Sequence, residues 1–194
     1  MTELRDIPVV PALRRAVIVH GYGATPDDHW FGWLAHALGS SGIAAEVPML
    51  PEADAPDRTR WASVIERTVG TPDAATAIVA HSLGALTVLR HLAGLPHPWS
   101  LRRLVLVSGF LEPLPVLPEL DEFIEGGCAV EGVRSSIGAV TVIRSDDDEI
   151  VPTAHTDRLA ARLGVESVVV PGAGHFLADD GVTALEAARV AVLG

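Results

Sequence analysis

Three kinds of side chain in this sequence could together carry out nucleophilic chemistry on a carbonyl. They are a serine (Ser82), a run of carboxylates (Asp146, Asp147, Asp148, Glu149) and a histidine (His175). A serine hydroxyl is a weak nucleophile at neutral pH. It needs a neighbouring base, and the base needs an acid to orient it. Their order along the chain, serine, then acid, then histidine, is one of the few in which such a constellation recurs. Within the acidic run, Asp148 lies four residues before Pro152 and just ahead of Ile150 and Val151, whose apolar side chains should dock inward. That makes Asp148 the first candidate for the acid, with Asp147 second and Asp146 third. A solvated loop favourably placed at a helix N-terminus accounts for the rest of the run.

The setting of Ser82 strengthens the reading. Thr76-Ala77-Ile78-Val79-Ala80-His81 is an apolar run of buried-strand character, and Leu83 to Leu92 reads as a helix. A strand that turns into a helix at a serine is the nucleophile elbow, nominally Gly-x-Ser-x-Gly, of α/β-hydrolases. The turn strains the serine backbone and demands small residues two before and two after it. Here these are Ala80 and Gly84, one methyl group away from the strict pattern.

A tetrahedral oxyanion needs preorganised N–H donors. The amide of Leu83, which follows the serine, is one candidate. The amide of Tyr22, in His20-Gly21-Tyr22-Gly23, is the other, because the flanking glycines leave that loop free to aim it. His20 is expected to brace this loop rather than act as a base. His29, His36, His81, His91, His97 and His155 are expected to be surface or boundary histidines, and no pair of them has convincing metal-ligand spacing with a carboxylate. The Gly-x-Gly after the first strand is not a dinucleotide fingerprint, because the third glycine and the helix start are misplaced. Trp30, Phe110, Leu114 and Phe176 are the expected substrate-binding side chains. Phe110, Leu111, Leu114, Leu117 and Phe123 suggest a small flap over an apolar pocket, with Trp30 and Trp33 opposite.

The elements that would position these groups alternate. Strands are expected at Arg15–His20, Ala44–Val47, Thr76–His81, Arg103–Ser108, Ala139–Arg144 and Val165–Val170. Helices are expected at Asp28–Leu38, Asp57–Val69, Leu83–Leu92, Thr153–Leu163 and Thr183–Leu193, with Pro152 at the start of the fourth and Thr183 capping the last. Nearly continuous apolar strands imply a parallel sheet covered on both faces. The expected architecture is a single α/β domain over residues 1–194. It has three α/β/α layers and a six-stranded doubly wound sheet in order 2-1-3-4-5-6. The switch point between strands 1 and 3 would hold both His20–Gly23 and Ser82, where such sheets bind ligands.

Composition narrows the partners. The chain has 194 residues, 48% of them hydrophobic, a formal net charge of −11, and 14 basic residues that are all arginine. That acidity disfavours nucleic acid and anionic membranes as partners. A lone cysteine, Cys128, excludes an intramolecular disulfide and a cysteine metal site. Met1 to Asp6 lacks the apolar core of a signal peptide and no run is long enough to span a membrane, so the cytoplasm is the expected compartment.

Several stretches carry a closer likeness. His20-Gly21-Tyr22-Gly23, Asp28-His29-Trp30-Phe31-Gly32-Trp33-Leu34 and Val79-Ala80-His81-Ser82-Leu83-Gly84 resemble the small serine hydrolases of the retinoblastoma-binding-protein-9/YdeN type. So do Val107-Ser108-Gly109-Phe110, Leu120-Asp121-Glu122-Phe123, Asp147 to Pro152 and Gly174-His175-Phe176-Leu177. The resemblance runs from about His20 to the C-terminus. It implies a minimal α/β-hydrolase without a large cap domain, a Ser82–Asp148–His175 triad, and hydrolysis of small esters or amides without metal or other cofactor. The retinoblastoma-binding property does not follow, since no Leu-x-Cys-x-Glu motif surrounds Cys128.

Overall fold

The computed structural model describes residues 11–194, so the expectation for Met1 to Asp6 lies outside the described residues. Six parallel strands form one sheet: β1 (Arg15–Val19), β2 (Ala44–Glu46), β3 (Thr76–His81), β4 (Leu101–Val107), β5 (Ile137–Arg144) and β6 (Ser167–Val169). Their spatial order is β2-β1-β3-β4-β5-β6, the order expected from the alternation of elements. The helices are α1 (Phe31–Ser40), α2 (Arg58–Thr68), α3 (Leu83–Gly94), α4 (Asp121–Ile124), α5 (Thr153–Arg162) and α6 (Glu186–Leu193).

The two-residue period of a strand sends alternate side chains to opposite faces, and the core splits accordingly. Val17, Val19, Ile78 and Ala80 pack beneath α2, α3 and α5, against Trp61, Ile65, Leu86, Leu89 and Leu159. Ala16, Ile18, Ala77 and Val79 pack on the other side, against Phe31, Leu34 and Leu38 of α1 and Ala188 and Val192 of α6. All six residues of β3 are buried, as a central strand covered on both faces requires. No helix among the described residues is long and apolar enough to cross a membrane.

Several boundaries differ from expectation for identifiable reasons. Helix α1 starts at Phe31, not Asp28. The Asp28 carboxylate instead takes the Thr25 amide and hydroxyl (2.7 and 2.8 Å), and His29 has φ +54°, which no right-handed helix can include. Asp57 caps α2 by accepting from the Arg60 amide at 2.8 Å. Helix α6 begins at Glu186 with Leu185 at its N-cap and no side-chain cap, so Thr183 does not cap it. The segment between β4 and β5, expected as a small flap over an apolar pocket, packs into the core instead. It folds through a 3-10 turn (Pro118–Leu120) and the four-residue α4, and buries Phe110, Leu111, Leu114, Leu120, Phe123 and Ile124 in the α2/α3 side of the core. Arg58 and Arg90 donate to the carbonyls of Phe123 and Glu125 at the end of α4 and hold it there.

Candidate active site

The site grows from the carboxyl end of β3. Ser82 connects β3 to α3 with φ +52° and ψ −127°, a conformation an L-residue holds only when its surroundings enforce it. Its amide donates to the Val107 carbonyl at 2.9 Å, and its carbonyl accepts from the Ala85 amide at 3.0 Å. Gly84, one of the small elbow positions, and Gly21 of the loop after β1 each have a steric cause. A Cβ on Gly84 would stand 2.3 Å from the His20 carbonyl oxygen, and one on Gly21 would stand 2.9 Å from the Ser82 Cβ. The loop after β1 is therefore in direct contact with the elbow.

The three candidate side chains come together from three strand ends. His175 Nε2 lies 3.0 Å from Ser82 Oγ, and His175 Nδ1 lies 2.8 Å from Asp148 Oδ2. With Nδ1–H donating to the carboxylate, Nε2 is free to accept the serine proton. Ser82, His175 and Asp148 are all largely buried. Asp148 Oδ2 also accepts from the Ser108 hydroxyl at 2.8 Å, and Oδ1 accepts from the amides of Ile150 and Val151 at 3.0 and 2.8 Å. Burial pushes the Asp148 pKa up. The hydrogen bond and charge of His175, the Val151 amide and the Ser108 hydroxyl more than offset it, and the carboxyl titrates below its ordinary range.

Asp146 and Asp147 of the acidic run have structural bonds. Asp146 Oδ1 accepts from Gly172 N at 2.8 Å, Ser145 Oγ from Ala173 N at 3.0 Å and Asp147 Oδ1 from Gly174 N at 2.9 Å. Asp180 Oδ2 takes the amides of His175 and Leu177 at 2.8 and 3.0 Å. The loop that carries His175 is thus stitched to the loop that carries Asp148 amide by amide. Asp147 makes no bond to His175; its carboxyl is held below the usual range by the Ser145 hydroxyl first and the Gly174 amide second.

Leu83, the expected first oxyanion donor, opens α3, and Tyr22, the expected second, lies in the loop after β1. Among the described residues no protein acceptor takes either amide, and Leu83 N lies 3.4 Å from the position a Gly21 Cβ would occupy. His20 braces its loop. Its Nε2 accepts from the Leu50 amide at 3.0 Å, which leaves Nδ1–H to donate to the Gly21 carbonyl at 3.0 Å. Burial lowers the pKa of this imidazole, consistent with the neutral tautomer that both bonds require.

The four expected substrate-binding side chains need correction. Trp30, Phe110 and Phe176 are 0% exposed and Leu114 is 1% exposed. Trp30 and Phe176 pack with Phe31 and Leu34 on the α1/α6 side, while Phe110 and Leu114 pack on the α2/α3 side. Sealed in the core, none of them presents a surface to a ligand. A cavity of about 620 Å³ is lined by Tyr22, Asp54, Arg58, Glu119 and Phe123, and by none of Ser82, Asp148 and His175. Two site residues were not foreseen as such. Ser108, buried just past β4 with φ +45°, supports Asp148; its sequence signals were a polar residue closing an apolar strand and its place in the resembling Val107–Phe110 stretch. His81, expected at the surface or a boundary, is 2% exposed and packs against His175.

A doubly wound sheet with a strained serine after β3 is the architecture of an α/β-hydrolase. The model of the serine hydrolase family matches residues 16–193, and the chain belongs to that family. The YdeN protein of Bacillus subtilis (strain 168) is 36% identical over 172 residues, 89% of this chain and 90% of that protein. The crystal structure of the ydeN gene product from B. subtilis superimposes with a TM-score of 0.88 at 35% identity, covering 92% of this chain and 96% of that one. Est1E from Butyrivibrio proteoclasticus (TM-score 0.64, 16% identity, 93% and 89% covered) and the esterase domain of a Rhodothermus marinus protein (0.60, 16%, 92% and 85%) share the fold.

Proposed function

We propose that this hydrolase cleaves small carboxylic esters through an acyl-enzyme formed on Ser82. His175 Nε2 takes the hydroxyl proton as Oγ attacks the carbonyl. The same nitrogen then protonates the leaving alkoxide. Asp148 holds the imidazole in the required tautomer and stabilises the imidazolium. The amides of Leu83 and Tyr22 receive the oxyanion, each worth about 2.7–4 kcal/mol of barrier by analogy with other oxyanion donors. Water then repeats the sequence to release the acid. The cavity beside Tyr22 is where the body of the substrate lies. The observation that carries the reading is the unbroken line of hydrogen bonds from a strained serine through His175 to Asp148.

A panel of paired short-chain esters and amides, run on the wild type and on Ser82→Ala, tests it. Turnover of the esters ahead of their matched amides is expected, with the serine variant losing on the order of 10⁶-fold. Equal turnover by the variant ends the proposal. Preference for the amides moves the assignment to an amidase on the same triad.

A further inference from the structure

The histidine next to the nucleophile has more to do than fill the variable position of the elbow. His81 is the last residue of β3, and its Nε2 lies 2.9 Å from the carbonyl oxygen of His175, 94 residues away in sequence. A carbonyl can only accept, so Nε2 carries the proton and donates. Nδ1 is then a bare acceptor, and it has no partner among the described residues although the ring is buried. Leaving a buried acceptor unpaired is costly. A leucine or phenylalanine would fill the space between Trp30, Phe31 and His175 without that cost. What an apolar residue could not supply is the bond to the His175 carbonyl.

That bond joins the nucleophile and the base by their own main chains. One end is the residue before Ser82; the other is the peptide of His175 itself. The segment it holds is under strain at Phe176, a non-glycine residue with φ +60°. A second imidazole braces the same segment from outside. His29 Nδ1 accepts from the Ala178 amide at 2.9 Å, and its ring lies 6.2 Å from that of His81. We propose that His81 is a positioning residue: its Nε2–H fixes the His175 main chain relative to Ser82 and so sets the distance across which the serine proton moves. Burial, with the charge of His175 second, holds the His81 pKa well below the ordinary histidine range. The ring therefore stays a neutral donor while His175 cycles through its imidazolium.

The inference rests on the hydrolase reading, and its test separates the two. His81→Gln keeps an N–H where Nε2 stands, whereas His81→Leu keeps volume and loses the donor. Each is compared with wild type for kcat and KM on a turned-over ester, for the pH profile of kcat, and for the low-field proton resonance of the His175 Nδ1–H···Asp148 bond. Thermal melts confirm that each variant is folded at the assay temperature. In His81→Leu, kcat is expected to fall about 100-fold, the cost of a misplacement near 1 Å, with KM little changed and the low-field resonance broadened or lost. In His81→Gln, kcat stays within a few-fold of wild type and the resonance persists. Wild-type kcat and an intact resonance in the leucine variant overturn the inference. So does equal damage by glutamine and leucine, which makes the role one of packing. Absence of ester turnover by the wild type defeats the hydrolase reading alone, since the resonance still reports on the bond.

Discussion

Asp148 uses both carboxylate oxygens on groups that fix its direction: two backbone amides on Oδ1, and the Ser108 hydroxyl with His175 on Oδ2. Four donors converging on a buried carboxylate give it an orientation that Asp147 lacks. Asp148→Asn is expected to lower kcat by about 10⁴-fold on an ester substrate, because an amide at this position favours the wrong imidazole tautomer. Asp147→Asn keeps an acceptor for Gly174 and is expected to leave kcat within a few-fold. The reverse order in the measured rates would transfer the acid role to Asp147. At this scale the sequence revealed residue type and order well and depth poorly. The serine, acid and histidine could be named because chemistry restricts which side chains can serve. Trp30, Phe110, Leu114 and Phe176 could not be assigned correctly, because an apolar residue carries no mark of whether it faces a cavity or the core. His81 was misjudged for a related reason: its bond partner lies 94 residues away.

Among the elements, the β3–α3 turn determines how the site is assembled. Gly84 lets α3 start against the His20 carbonyl, and that contact holds the loop after β1 against the elbow. Gly84→Ala is expected to shift the urea midpoint downward by about 1–3 kcal/mol of stability and to cut ester turnover, because the added methyl pushes the β1 loop away. An unchanged midpoint with full activity would show that the loop yields freely and does not register the oxyanion donors. The elbow was legible because it couples a steric rule to a sequence pattern. The segment from Phe110 to Arg134 was not, because α4 is held by arginines from α2 and α3 rather than by periodicity of its own.

For the molecule as a whole, strand order followed from alternating apolar strands and right-handed crossovers, and the sheet has that order. The folded state also holds neutral histidines at its centre. Burial lowers the pKa of His20 and His81 below 6.5. Groups with a lowered histidine pKa bind protons more readily when unfolded, so their contribution to stability is complete above pH 6.5. It is lost as the pH falls from 6.5 through the folded-state pKa, by up to about 1.4 kcal/mol per pH unit for each group. Melting temperature is therefore expected to hold level from pH 7.5 to 6.5 and to decline from pH 6.5 to 5.5, less steeply in His81→Leu. A flat profile would mean that these imidazoles are charged or exposed. The central claim, that Ser82 is a nucleophile activated by His175, is tested most directly by treating the protein with a fluorophosphonate and mapping the adduct by peptide mass spectrometry. A single adduct on Ser82 is expected, absent in Ser82→Ala and strongly slowed in His175→Ala; an unlabelled wild type, or label that persists at another residue in Ser82→Ala, would contradict it.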